Sequence, residues 1–273
     1  IFLPKYLKSA SSPPGKPGIS STETKGVSGF SATAPFPVSS GIMISSLPVP
    51  GEVNITSTVT LDPSQVYLLK GLVVVRDGGK LVIPAGTIIR ATADLNATPK
   101  NYASIVVERG GDIQIDGSSS NPVVITSAKA AGQRNRGDWG GLLIAGKSRH
   151  NLLNGTDNNN IQMEGFNNVS FDNTLARFGG TDISDNSGSI TYLRLEFGGV
   201  AFEVNKEING LTLGAVGSGT VLDHVQVSYS GDDSFEWFGG TVNSKHLIAW
   251  KGTDDDFDTD NGYAGLAQFG IGV

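Results

Sequence analysis

The stretch DDDFDTDNGYAG, residues 254–265, sets five carboxylates into seven positions: Asp254, Asp255, Asp256, Asp258 and Asp260. Two like charges about 4 Å apart repel by roughly 1 kcal/mol in water and by more near a protein surface. Such crowding is relieved by a bound cation, by water, or by turns in which Asp and Asn satisfy backbone groups. In an extended strand Asp254, Asp256, Asp258 and Asp260 share one face, and Phe257 takes the other. Asp232, Asp233 and Glu236 occur earlier in a matching run, DDSFEW. Stacking the two runs assembles a patch of oxygen ligands suited to a hard cation. Asp232, Asp233, Asp254, Asp256, Asp258 and Asp260 are therefore the candidate ligands for calcium. An EF-hand is excluded: counted from Asp256, Gly262 falls one place late and Ala267 stands where the closing Glu belongs.

Other residue types give weaker chemistry. Trp237 and Trp250 are candidate sugar-stacking platforms, although aromatic residues are also ordinary core. His224 and His246 recur at the same place in successive runs and point outward or sit at a corner; no third ligand is evident beside them. Arg136-Gly137-Asp138 is an adhesion-type tripeptide, but it leads into Trp139 and a Gly-Gly turn, which reads as local structure. No nucleophile elbow, phosphate loop or zinc-protease motif occurs, so no catalytic residue is assigned.

The elements that must carry these residues are short strands. Val73 aligns with Ile105, Gly78-Gly79 with Gly110-Gly111, Leu81 with Ile113 and Ile83 with Ile115, all at one offset of 32. Downstream the offset is 22: His224 with His246, Asp232-Asp233 with Asp254-Asp255, Phe235 with Phe257 and Gly240 with Gly262. Each unit reads strand, glycine corner, alternating strand, turn. Units of this length cannot bury an apolar face alone and do so by stacking. The prediction is an all-β, right-handed parallel β-helix over residues 51–273, with a sandwich or propeller as the alternative. Residues 1–50, rich in Ser, Pro and Gly, read as an extended N-terminal arm that packs on its own domain or on a neighbouring subunit.

Composition agrees. Of 273 residues only 17% are charged, and 37 are Gly, which suits many tight turns better than a helical enzyme. A net charge of −6 and a pI near 5.0 argue against nucleic acid and anionic membrane as partners. No run is long and apolar enough for a transmembrane segment. With no Cys, disulfides and thiolate sites are excluded. The chain starts at Ile1 and reads as a processed or truncated product.

The segments YLLKGLVVVRDGGKLVIPAGTIIRA, RGDWGGLLIAGKS, NGLTLGAVGSGT, DDSFEWFGGTVNSKHLIAW and DDDFDTDNGYAGLAQF closely resemble a family of secreted bacterial right-handed parallel β-helix surface proteins. These occur among marine and Bacteroidetes-like bacteria, often with a type IX-like C-terminal sorting domain. The resemblance runs from about residue 55 to residue 269. It implies an extracellular or cell-surface location and carries no catalytic residues over. The function expected is that of a non-enzymatic structural or adhesive protein. It would self-associate head to tail into filaments through open β-helix ends and the N-terminal arm. The alternatives are a carbohydrate-binding surface module and a polysaccharide lyase, the latter using calcium with Lys245 or Lys251 as base.

Overall fold

A computed structural model describes residues 52–94, 101–152, 161–166, 174–203 and 206–273. The expectation for residues 1–50 lies outside the described residues. The described chain is a right-handed parallel β-helix. One sheet takes a single strand from each of seven rungs, in the order Glu52–Ile55, Leu72–Val75, Ser104–Val107, Leu142–Ala145, Leu211–Gly214, Phe235–Phe238 and Phe257–Asp260. Every neighbouring pair in it is parallel. The offsets read from the sequence are the registers of the sheets: Val73 pairs with Ile105, Leu81 with Ile113, Ile83 with Ile115 and Phe235 with Phe257.

The second sheet changes character along the coil. In the first three rungs two short strands, such as Lys80–Pro84 and Ile88–Asp94, are separated by a turn. From Gly188–Glu196 onward one long strand does both jobs, pairing with Asp112–Asp116 through its first half and with Val123–Ser127 through its second. It bends at a single residue, Tyr192, with φ of +50°. Val221–Ser228 and Asn243–Trp250 repeat that bend at His224 (+55°) and His246 (+53°). The corners leaving the first sheet use glycine pairs for two reasons. Gly110 takes φ of +86°, and a Cβ on Gly111 would lie 2.5 Å from the carbonyl oxygen of Val75 in the rung below.

Alternation sorts side chains into two cores. Inward columns such as Val73–Ile105–Leu142–Leu211–Phe235 form the coil's interior, together with Leu81, Ile113, Ile190 and Leu222 and, from the part of the second sheet beyond its bend, Ile125, Leu195 and Val227. A second core lies on the outside of the first sheet. There Val74, Val106, Leu143 and Ala145 are covered by Met163, Phe166, Leu175, Phe178 and Ile208. These covering residues come from the excursions between rungs, which explains the 69-residue step from Leu142 to its register partner Leu211. Among the described residues no helix is long and apolar enough to cross a membrane.

Candidate functional site

The column on the outside of the first sheet runs Val74–Val106–Leu143–Thr212–Glu236–Asp258. It is apolar for three rungs, then polar, then acidic. In the same strand Phe235 and Trp237 face the inner core while Phe238 joins the outer one, so alternation forces Glu236 outward beneath the covering segments. It is only 5% exposed. The corner just before this strand supplies Asp232 and Asp233, and the corner one rung on supplies Asp254.

The carboxylates form two overlapping triads. Oxygen atoms of Asp232, Asp233 and Asp254 lie within 4.8 Å of one another, and so do those of Asp233, Glu236 and Asp258. Asp233 belongs to both, and its Oδ1 also accepts the Asp255 amide at 2.8 Å, tying the two rungs together. Burial raises all three groups at the centre. Asp232 reaches about 6, helped by Glu207 and Asp254. Asp233 reaches about 7, helped by Asp232, Asp258 and Asp254 and opposed by the Asp255 amide. Glu236 reaches about 9, with Asp233, Asp258, Glu164 and Asp232 adding to burial. Glu164, on the covering segment, is raised by burial and by Glu207, Asp232 and Asp260. The charges acting on Glu236 thus share its sign, and near neutral pH the cleft either keeps protons or takes up a cation.

The donor set fits a hard divalent cation. Two oxygens bound to one calcium at about 2.4 Å can be at most about 4.8 Å apart, the limit both triads meet. Asn209 Nδ2 donates to Glu236 Oε2, while its own Oδ1 is buried without a hydrogen-bond partner. A cation held by Asp233, Glu236 and Asp258 beside that amide is hard, oxygen-ligated and multidentate.

The structure brings together four of the six ligands expected from sequence: Asp232, Asp233, Asp254 and Asp258. Asp256 is not with them. It precedes the strand and lies against Gly252 and Gly272, because the chain is still turning there and strict alternation begins only at Phe257. Asp260 is exposed and caps its own turn, with Oδ1 accepting the Asn261 amide at 2.7 Å. Glu236 is the central residue: the offset that relates Phe235 to Phe257 places it beside Asp258, while its burial has no signal in the sequence.

The aromatic platforms fare differently. Trp237 is 1% exposed and packs in the inner core near Phe235 and Tyr263. Its faces are therefore closed to a sugar, a correction that follows from its inward place in the alternation. Trp250 is half-buried at the end of the strand Asn243–Trp250, with Lys251 Nζ 5.6 Å from its ring centroid. In the Arg136-Gly137-Asp138 stretch the Asp138 carboxylate turns inward, accepting from Ser127 Oγ at 2.5 Å, Lys129 Nζ at 2.6 Å and the Asn135 amide at 2.9 Å. Trp139 beside it is fully buried and donates Nε1–H to the Glu196 carbonyl at 2.9 Å. That tripeptide is a structural turn.

Neither a curated protein nor a solved structure gave a match. The family model described as pectate-lyase like beta helix domain matches residues 53–272, which takes in every rung described above and both carboxylate triads. The chain belongs to the pectate-lyase-like β-helix domain family.

Proposed function

We propose that this protein is an exported, non-enzymatic structural and adhesive β-helix whose last rungs are clamped by calcium in the acidic cleft. The observation that carries the reading is the convergence of Asp232, Asp233, Glu236, Asp254 and Asp258 from two successive rungs into overlapping triads. Same-sign groups brought together under a covering segment destabilise the fold unless protons or a cation neutralise them. A cation bridging the rungs would turn that repulsion into a clamp between them. Head-to-tail stacking is the assembly this function calls for. Stacking extends parallel sheets across copies, and contacts of this kind that do not close generate filaments.

The test is thermal unfolding and sedimentation with calcium and with chelator. Calcium at millimolar concentration is expected to raise the melting temperature by several degrees and to bind at about one ion per chain. Unchanged melting with no calcium retained after gel filtration overturns the clamp. A strictly monomeric particle at every concentration overturns the assembly.

A polysaccharide lyase is the second reading, favoured by the family match and by the same cation site. Its proposed bases stand elsewhere: Lys245 is exposed in the second sheet, in register with Asp223, and Lys251 sits over Trp250. Release of unsaturated product from pectate or alginate in the presence of calcium would establish it.

A further inference from the structure

The long strands of the second sheet carry a ring ladder where they bend. Tyr192 stacks on His224 with centroids 4.3 Å apart, His224 on His246 at 4.3 Å, and His246 on Phe269 at 5.0 Å. All four residues hold positive φ, between +50° and +60°, a conformation that strains a residue with a side chain by about 1–2 kcal/mol. Stacking accounts for rings at this corner. It does not account for two of them being imidazoles that face one carboxylate.

That carboxylate is Asp223, from the residue before His224. Nδ1 of His224 and Nδ1 of His246 each lie 2.7 Å from its Oδ1. A carboxylate only accepts, so the His246 ring carries its proton on Nδ1 and donates to that oxygen, with Nδ1 of His224 at the same distance from it. Two Nδ1 atoms beside one carboxylate oxygen can take up a metal ion: a neutral ring with its proton on Nδ1 shifts it to Nε2, which frees the Nδ1 lone pair for the metal with no net loss of a proton. We propose that Asp223, His224 and His246 form a binding site for a transition-metal ion of the zinc, nickel or copper class, separate from the acidic cleft.

The chemistry of the three donors sets the selectivity. Two imidazole nitrogens and one carboxylate oxygen suit zinc, nickel and copper, whereas calcium and magnesium prefer oxygen throughout. With metal–nitrogen and metal–oxygen bonds of about 2.1 Å in a tetrahedral site, nitrogen and oxygen stand roughly 3.4 Å apart. Each ligand must therefore withdraw by a fraction of an ångström, and the two stacked rings must splay so that the metal comes into the plane of each. The three side chains are 36%, 27% and 42% exposed for Asp223, His224 and His246, so they have room to move, and water can fill the remaining position.

Replacing either histidine by Phe provides the clean test, because Phe269 already occupies the same ladder with the same backbone. The full chain is titrated with zinc chloride by calorimetry, and with cobalt chloride to read the visible ligand-field bands. The expected result is saturable zinc binding, weakened about tenfold or more in His224→Phe, His246→Phe and Asp223→Asn, at unchanged melting temperature without metal. Binding should persist in Glu236→Gln and Asp233→Asn, which disable the cleft. The proposal is overturned if no zinc binds, or if the Phe variants bind it as well as the parent. It also falls if the cleft variants abolish binding.

Discussion

Glu236→Gln separates the electrostatics of the cleft from its packing. The Glu236 carboxyl is pushed from 4.5 to about 9 by burial and by Asp233, Asp258, Glu164 and Asp232. A carboxyl raised in the folded state holds a proton that the unfolded chain releases above its ordinary value. Stability therefore falls as pH climbs from about 4.5 toward 9, and the contribution is most favourable below that window. At about 1.36 kcal/mol for each pH unit, holding this proton at pH 8 costs up to about 5 kcal/mol. Gln has no proton to hold, nearly the same shape, and an amide oxygen that still accepts from Asn209. Because Asp233 shares the same repulsion, a gain of about 2–5 kcal/mol is expected in chelator at pH 8, or roughly 5–15 °C in melting temperature. At pH 5 the same comparison shrinks below about 1 kcal/mol. With calcium present the order reverses, since the variant has lost a charged ligand. Circular dichroism melts at the two pH values, with chelator and with calcium, read all four cases. A variant less stable than the parent in chelator at pH 8, or a difference independent of pH, refutes the reasoning.

Further outcomes follow from packing and hydrogen bonding. Gly111→Ala places a Cβ 2.5 Å from the Val75 carbonyl oxygen and should destabilise by at least about 2 kcal/mol in denaturant titration. Trp237→Ala empties an inner-core site and should cost about 3–5 kcal/mol. Trp250→Ala, at a half-buried site, should cost clearly less, so any glycan binding that depends on an exposed indole is lost only in the Trp250 variant on a glycan array. Asp138→Ala leaves Ser127, Lys129 and the Asn135 amide without their acceptor and should lower stability by about 1–3 kcal/mol. A free Arg-Gly-Asp peptide should not compete with any surface binding the parent protein displays.

Much of the fold was legible because parallel rungs turn sequence period into hydrogen-bond register. The offset between Leu81 and Ile113 is a sheet pairing, and the Gly110-Gly111 corner announces both a left-handed residue and a close backbone approach. The outer core was not legible. Met163, Phe166 and Phe178 lie in an excursion that breaks the period, and nothing local tells a covering loop which column it will bury. Glu236 is the sharpest case. As one outward residue in a strand it reads as solvated, and only the covering excursion makes it a buried acid. Asp223 escaped notice for a related reason: the residue before a bending His is polar in every rung, and its carboxylate meets two imidazoles only because the strands are neighbours.

By itself, then, the chain determined a stacked coil and the inward columns, because both follow from backbone alternation and a repeated length. It also determined that acidic residues recur in successive turns of that coil. The tertiary structure decided which of them meet. Asp232, Asp233, Glu236, Asp254 and Asp258 converge while Asp256 and Asp260 do not. Corners depart from alternation, and burial beneath a distant segment sets both the proximity and the charge state of what remains.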